Sequence, residues 1–203
     1  MNDPQTMAND RRKARDDRLV TTLLLGRVVT PHGDTVCRIR NLSRGGAKIE
    51  IRAPIAVGDA ISVELRGTTL VAGTVAWVAG NAAGIAFAEQ VESEMLLGHS
   101  APGQLRQRSP RLGADCPAIL RVTGRVLSAR LHDIGQRGAC IGGVGDLPRD
   151  TSVRLEAAGL GQIPAVVRWS KPDAVGLFFP EPIPFATLSA WSQDTATRFS
   201  ARG

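Results

Sequence analysis

The 203-residue chain sets 25 Lys and Arg against 19 Asp and Glu, and its pI near 10.2 points to an anionic partner. Hydrophobic residues at 43% exclude wholesale disorder, while 22 Gly, 12 Pro and 4% aromatics favour short strands joined by turns. Cys37, Cys116 and Cys140 are odd in number and far apart, which argues against a disulfide framework and against a thiolate metal site.

Residues 1–10, MNDPQTMAND, read as a polar, flexible arm. They lack the apolar core of a secretory signal, and no apolar run approaches the roughly 18 residues that cross a bilayer. The expected location is the cytoplasm, with no membrane partner. A basic cluster, RRKARDDR, follows at 11–18. Strands are then expected at 19–29 and 36–41 around the turn Pro31-His32-Gly33-Asp34. Further strands are expected at 47–52, 60–65, 70–78 and 83–88, by alternation and by Gly-rich turns between them. Residues 89–99 lose the alternation and suggest a helix; Pro102 and Gly103 mark a linker.

The second half repeats the first. Asn41-Leu42-Ser43-Arg44-Gly45-Gly46 recurs 92 residues on as Asp133-Ile134-Gly135-Gln136-Arg137-Gly138. Trp77 falls on Trp169 and Gly84-Ile85-Ala86-Phe87 on Gly176-Leu177-Phe178-Phe179 at the same offset, so the chain is a tandem duplication. A second basic cluster, RQRSPR at 106–111, opens this copy. Strands are expected at 118–122, 125–132, 139–141, 152–155, 163–169 and 174–179, with a helix at 184–198. The fold class is therefore all-β: two tandem six-stranded antiparallel barrels, each followed by a short helix, at 11–100 and 105–203. Trp77 and Trp169 are read as apolar plugs of the two barrels rather than stacking platforms.

The order of elements resembles the PilZ domain family: a basic RxxxR, then [D/N]xSxxG, then a Trp-containing strand before Gly-aliphatic-x-Phe. Here Arg11 and Arg15 supply RxxxR, and Asn41, Ser43 and Gly46 supply NxSxxG. The resemblance implies a receptor for cyclic di-GMP, with no cofactor and no metal. Arginine suits that ligand because its planar fork of donors matches a phosphate or the guanine O6/N7 edge. An amide or hydroxyl can read the remaining guanine edges, and a glycine lets the backbone come close. The resemblance implies that Arg11, Arg12, Arg15, Asn41, Ser43 and Gly46 bind the ligand, with the arm closing over it. Arg18, Arg44, Arg111, Asp133 and Gly138 are weaker candidates. Arg18 is included because it, rather than Arg15, aligns with Arg111 by distance to the motif. The second copy lacks RxxxR and has Gly135 in place of the serine, so it reads as a degenerate barrel for a protein partner or for self-association.

Other readings stay open. Asn41 and Ser43 also suit turn residues that bond their own backbone, and Gly45-Gly46 a bulge. A ligand-independent scaffold shares the fold and differs at the arginines and the motif. The scarcity of stacking aromatics argues against nucleic acid. His32, His99 and His132 have no metal spacing, and no nucleophile or phosphate-loop motif is present, so a catalytic role is not expected.

Overall fold

The computed structural model describes residues 18–19 (backbone), 24–65, 69–91 and 109–194. The first half holds β1 (Arg18–Leu19), β2 (Leu24–Thr30), β3 (Gly33–Ser43), β4 (Gly46–Glu50), β5 (Ala60–Leu65), β6 (Thr69–Ala79) and β7 (Ala82–Phe87). They pair antiparallel in the order β1-β3-β2-β5-β6-β7-β4, and β4 returns to β3, closing a barrel of β2 to β7. The second half holds β8 (Leu112–Val122), β9 (Arg125–Gly135), β10 (Gly138–Gly142), β11 (Ser152–Ala157), β12 (Gly161–Lys171) and β13 (Ala174–Phe178). These close as β10-β13-β12-β11-β8-β9. Both barrels are six-stranded, as expected.

The duplication extends to the pairing. In the first barrel Leu19 lies opposite Leu42, and in the second Leu112 lies opposite Ile134. β1 and β2 together therefore correspond to the long strand β8. Closure leaves no long free edge, and the alternating apolar residues turn inwards. Val28, Ile39, Ile49, Val63, Leu65 and Val75 fill the first barrel. Leu120, Leu131, Ile141, Leu155, Val167 and Phe179 fill the second. Burying each such side chain contributes roughly 1.5–3 kcal/mol.

Among the described residues five register irregularities occur, one of them between Gly113 and Cys116, and the other four are β-bulges in two matching pairs that set the outer surface. Arg40 is an extra residue between Ile39, opposite Ile49, and Asn41, opposite Lys48. His132 is its counterpart between Leu131 and Asp133. Ala76 is extra between Val75 and Trp77, and Arg168 between Val167 and Trp169. An extra residue reverses the alternation beyond it. Val75 and Val167 point inwards, so strict alternation would send both tryptophans inwards too; the bulges turn them out. Trp77 and Trp169 are each 41% exposed. The expectation that they plug the barrels is thus corrected. Each indole lies on a glycine of the next strand, Gly84 or Gly176, where a Cβ would intersect the ring.

The helix α1 (Phe185–Gln193) packs Leu188 and Trp191 on the second barrel, and the Trp191 indole N–H donates to the Ala158 carbonyl at 2.9 Å. The expected extension of this helix beyond 194 lies outside the described residues. The helix expected at 89–99 does not begin there: residues 89–91 are irregular, and the Val91 amide donates to the Arg44 carbonyl at 2.8 Å. Its remainder lies outside the described residues. The barrels meet where α1 touches β3. Val36 joins the core of the second barrel, and the Arg38 guanidinium sits 4.5 Å above the Phe185 ring. Buried Thr35 and Ser192 share a hydrogen bond of 2.9 Å. Ser192 donates to the Ser189 carbonyl, so Thr35 is the donor to Ser192 Oγ.

Candidate functional site

The bulge at Arg40 places Asn41 on the outer face of β3, exposed. Across the sheet, Asn41 faces Lys48, Lys48 faces Gly84, and Gly84 faces Trp77. An amide, an ammonium and an indole therefore share one row over four strands. Lys48 Nζ stands 5.9 Å from the Trp77 ring centre. The indole rests on the bare backbone of Gly84, with Lys48 Nζ over the ring as a cation–π partner.

Ser43 lies on the same face as Asn41, two residues on, and its hydroxyl donates to the Gly46 carbonyl at 3.1 Å. That bond closes the turn between β3 and β4, as expected of a serine at a strand end. The hydroxyl oxygen keeps its acceptor capacity. On its other side Ser43 is paired through the backbone with Arg18. At Gly46 a Cβ would run into the Ile85 carbonyl oxygen, so the neighbouring strand itself demands a glycine here. Arg44 follows the motif serine, and its buried Nε finds no hydrogen-bond partner among the described residues. A buried donor left unpaired costs about 1–3 kcal/mol, which an acceptor reaching the turn would recover. Arg11, Arg12 and Arg15 lie outside the described residues. Arg18 holds the place in the first barrel that Arg111 holds in the second, since each precedes the leucine that faces Leu42 or its counterpart Ile134.

In the second barrel the matching row runs Asp133, Cys140, Gly176 and Trp169. Arg111 Nη1 donates to Asp133 Oδ1 at 2.5 Å. At Gly138 a Cβ would strike the Leu177 carbonyl oxygen, repeating the situation at Gly46. Burial pushes the Cys140 thiol up, with the Asp133 carboxylate adding to it and Arg111 opposing. A cavity of about 680 Å³ opens over this row. Among the described residues no three His, Cys, Asp or Glu side chains gather as a metal site. No described helix is long and apolar enough to cross a membrane.

Lys48 and the outward face of Trp77 are features that the sequence reading missed. Nothing in the residue order flags an extra residue at position 40 or 76, and without it the period of two sends these groups the wrong way.

The fold and this face define a class: tandem six-stranded antiparallel barrels, the first presenting a polar and basic row on its outer surface. Residues 9–98 match the model of the PilZ domain. Among curated proteins no sequence matches the chain. Among solved structures the chain is similar to the Borreliella burgdorferi PlzA protein in complex with c-di-GMP, at 12% identity and a TM-score of 0.35, covering 93% of this chain and 98% of that one. It is similar to Escherichia coli YcgR in complex with c-di-GMP at 13% identity and a TM-score of 0.34, covering 94% and 87%. It is also similar to the Bacillus subtilis inhibitor of motility MotI/DgrA at 16% identity and a TM-score of 0.35, covering 83% and 92%.

Proposed function

We propose that the chain is a cytoplasmic, non-catalytic receptor for cyclic di-GMP whose first barrel, residues 11–100, holds the ligand. The observation that carries the reading is the meeting of Asn41, Lys48 and Trp77 in one outward row beside Ser43, on a domain that the PilZ model matches. In this reading Arg11, Arg12 and Arg15 on the arm that begins with residues 1–10 grip the phosphates or a guanine edge. Arg18, paired through its backbone with Ser43, is a further candidate for the ligand. Asn41 and the Ser43 oxygen read a guanine edge, the Trp77 face stacks a base, and the free donor of Arg44 takes an acceptor of the ligand. The strand contact at Gly46 keeps β4 where this requires it.

Closure of the arm then alters the setting of the two barrels, and residues 105–203 present the result to a protein partner or to a second copy. A ligand shifts that equilibrium by no more than its difference in affinity for the two arrangements.

Isothermal titration of the full chain with cyclic di-GMP tests this. Wild type should bind at micromolar concentration or tighter. Arg15→Ala and Asn41→Ala should each weaken binding by roughly tenfold or more, the worth of one or two charge-assisted or buried hydrogen bonds. Absence of heat from the wild type, confirmed by equilibrium dialysis, would reject the reading in favour of a ligand-independent scaffold.

A further inference from the structure

The duplication provides an internal comparison at the end of the second barrel away from the motif. Asp133 pairs with Gly113 at one end of the β8–β9 ladder, and Arg121 pairs with Val126 at the other. On the outer face there, Val126 lies opposite Arg121, Arg121 opposite Arg154, and Arg154 opposite Pro164. The same four places in the first barrel, paired in the same way, hold Asp34, Val29, Ser62 and Ala72. One framework thus carries two facing arginines where its twin does without them. Like charges directly opposite each other weaken a sheet, so folding does not account for the pair.

A third arginine joins them. The turn Thr123-Gly124 has φ of 43° and 74°, a left-handed backbone that threonine adopts at a cost, and it sets Arg125 opposite Val122 beside the row. Arg121 reaches Glu156 at 3.2 Å in an exposed pair, while Arg125 and Arg154 make no hydrogen bond or ion pair among the described residues. All three arginines line a cavity of about 490 Å³, together with Pro164, Pro180 and Val126, which is 59% exposed. None of these residues lines the cavity over Asp133. Guanidinium forks match carboxylates bidentately, and the exposed valine and prolines suit an apolar side chain between them. No aromatic residue lines the cavity, so it has no platform on which a nucleic-acid base could stack. We infer that this face docks an acidic segment of a protein partner, with carboxylates on the arginines and an apolar residue against Val126. The inference rests on the reading that residues 105–203 serve a protein partner, and it is independent of ligand binding by the first barrel.

Fluorescence anisotropy with the full-length chain tests this. The probe is a short labelled peptide of glutamate, aspartate and leucine, and its neutral twin carries glutamine and asparagine instead. The acidic peptide should bind saturably at micromolar concentration, and the twin at least about tenfold more weakly. Arg121→Gln combined with Arg154→Gln should weaken the acidic peptide by about a hundredfold, about tenfold for each charge-assisted contact, without lowering the melting temperature. Arg52→Gln combined with Arg149→Gln removes the same charge at exposed positions outside the cavity, and should change the affinity by less than about threefold. Equal losses in the two double variants would reduce the binding to net charge and overturn the proposal. Failure of the acidic peptide to bind, or a clear fall in melting for Arg154→Gln alone, overturns it as well. So does tighter, Arg154-dependent binding of labelled duplex DNA or of phosphatidylserine vesicles, which would assign the face to phosphates. Calorimetry with cyclic di-GMP on the same proteins keeps the readings apart. Nucleotide binding without peptide binding refutes this face alone, and peptide binding without nucleotide binding supports it while rejecting the first barrel's ligand.

Discussion

Restoring the missing serine is the obvious way to repair the second motif, and the structure says that it will fail. Gly135 sits opposite the Ser109–Arg111 segment, and a Cβ there would lie 2.7 Å from the Pro110 carbonyl oxygen and 3.4 Å from Arg111 Cγ. Ordinary carbon–oxygen contacts start near 3.0–3.4 Å, so the strands must part by about 0.3–0.7 Å. The obstacle is backbone, held on one side by the fixed φ of Pro110 and on the other by the pairing of Leu112 with Ile134. Over-packing of this kind costs about 1–3 kcal/mol. Gly113 is the control. It also lies in a paired strand of the same barrel, and a Cβ there meets nothing within 4 Å. Gly113→Ala should be neutral or stabilise by up to about 1 kcal/mol, because alanine has less freedom to lose on folding. For a barrel of this size, the expected fall in melting temperature for Gly135→Ala and Gly135→Ser is roughly 5–20 °C, and Gly113→Ala should fall by none of it. Scanning calorimetry with circular dichroism measures both. Equal stability of the Gly135 and Gly113 variants would refute the steric argument and return the lost serine to simple drift.

Arg27 bridges Asp34 and Glu64 at 2.6 Å each, and Glu64 is largely buried, so Arg27→Met should cost about 2–4 kcal/mol in urea unfolding by stranding a carboxylate. Burial pushes the Cys37 thiol up to about 12. The fold thus favours the neutral thiol, so this contribution is whole below the unfolded value near 8.5 and declines as pH rises from there towards 12. Native Cys37 should resist alkylation at pH 8 and react once urea unfolds the barrel, as mass spectrometry would record. Ser192→Ala should cost about 1–3 kcal/mol by orphaning the buried Thr35 hydroxyl, whereas Thr35→Val should cost less, since Ser192 retains its bond to the Ser189 carbonyl. Combining the two should cost less than their sum, which a double-mutant cycle on unfolding free energies would detect.

The strand plan was legible because period-two alternation and Gly turns are written residue by residue. The expectation for 60–65 coincides with Ala60–Leu65, and those elsewhere differ by a few residues at the ends. The largest difference is at the start of each copy, where residues 112–117 continue β8 although Pro117 breaks the pattern. The inter-barrel joint was not legible: Thr35, Ser189 and Ser192 are fully buried polar residues, which the sequence presents as ordinary surface. The placement of the site was legible in its polar residues and illegible in its aromatic ones. A bulge conserves composition while shifting phase, so Ala76 and Arg168 look like any strand residue and yet decide which way Trp77 and Trp169 face. Lys48 was missed for a related reason, since a lysine in a strand reads as solvated charge until the ring beneath it is known.

One strand joins the features on which the proposed signalling depends. β3 carries Asn41 and Ser43 at its end and Thr35, Val36 and Arg38 in its first half, against α1 and the core of the second barrel. Between them lies the Arg40 bulge, where the ladder is locally open and where Arg40 reaches Glu50 at 2.7 Å. Glu50 also lies 3.9 Å from Arg38, so a carboxylate on β4 is shared between the bulged residue and the arginine that covers Phe185. A ligand that draws Asn41 outwards acts on the bulge first, because displacement there breaks the fewest ladder bonds. In that reading Glu50, bonded to Arg40 and close to Arg38 at once, would carry a shift at the bulge to the arginine that covers the Phe185 ring.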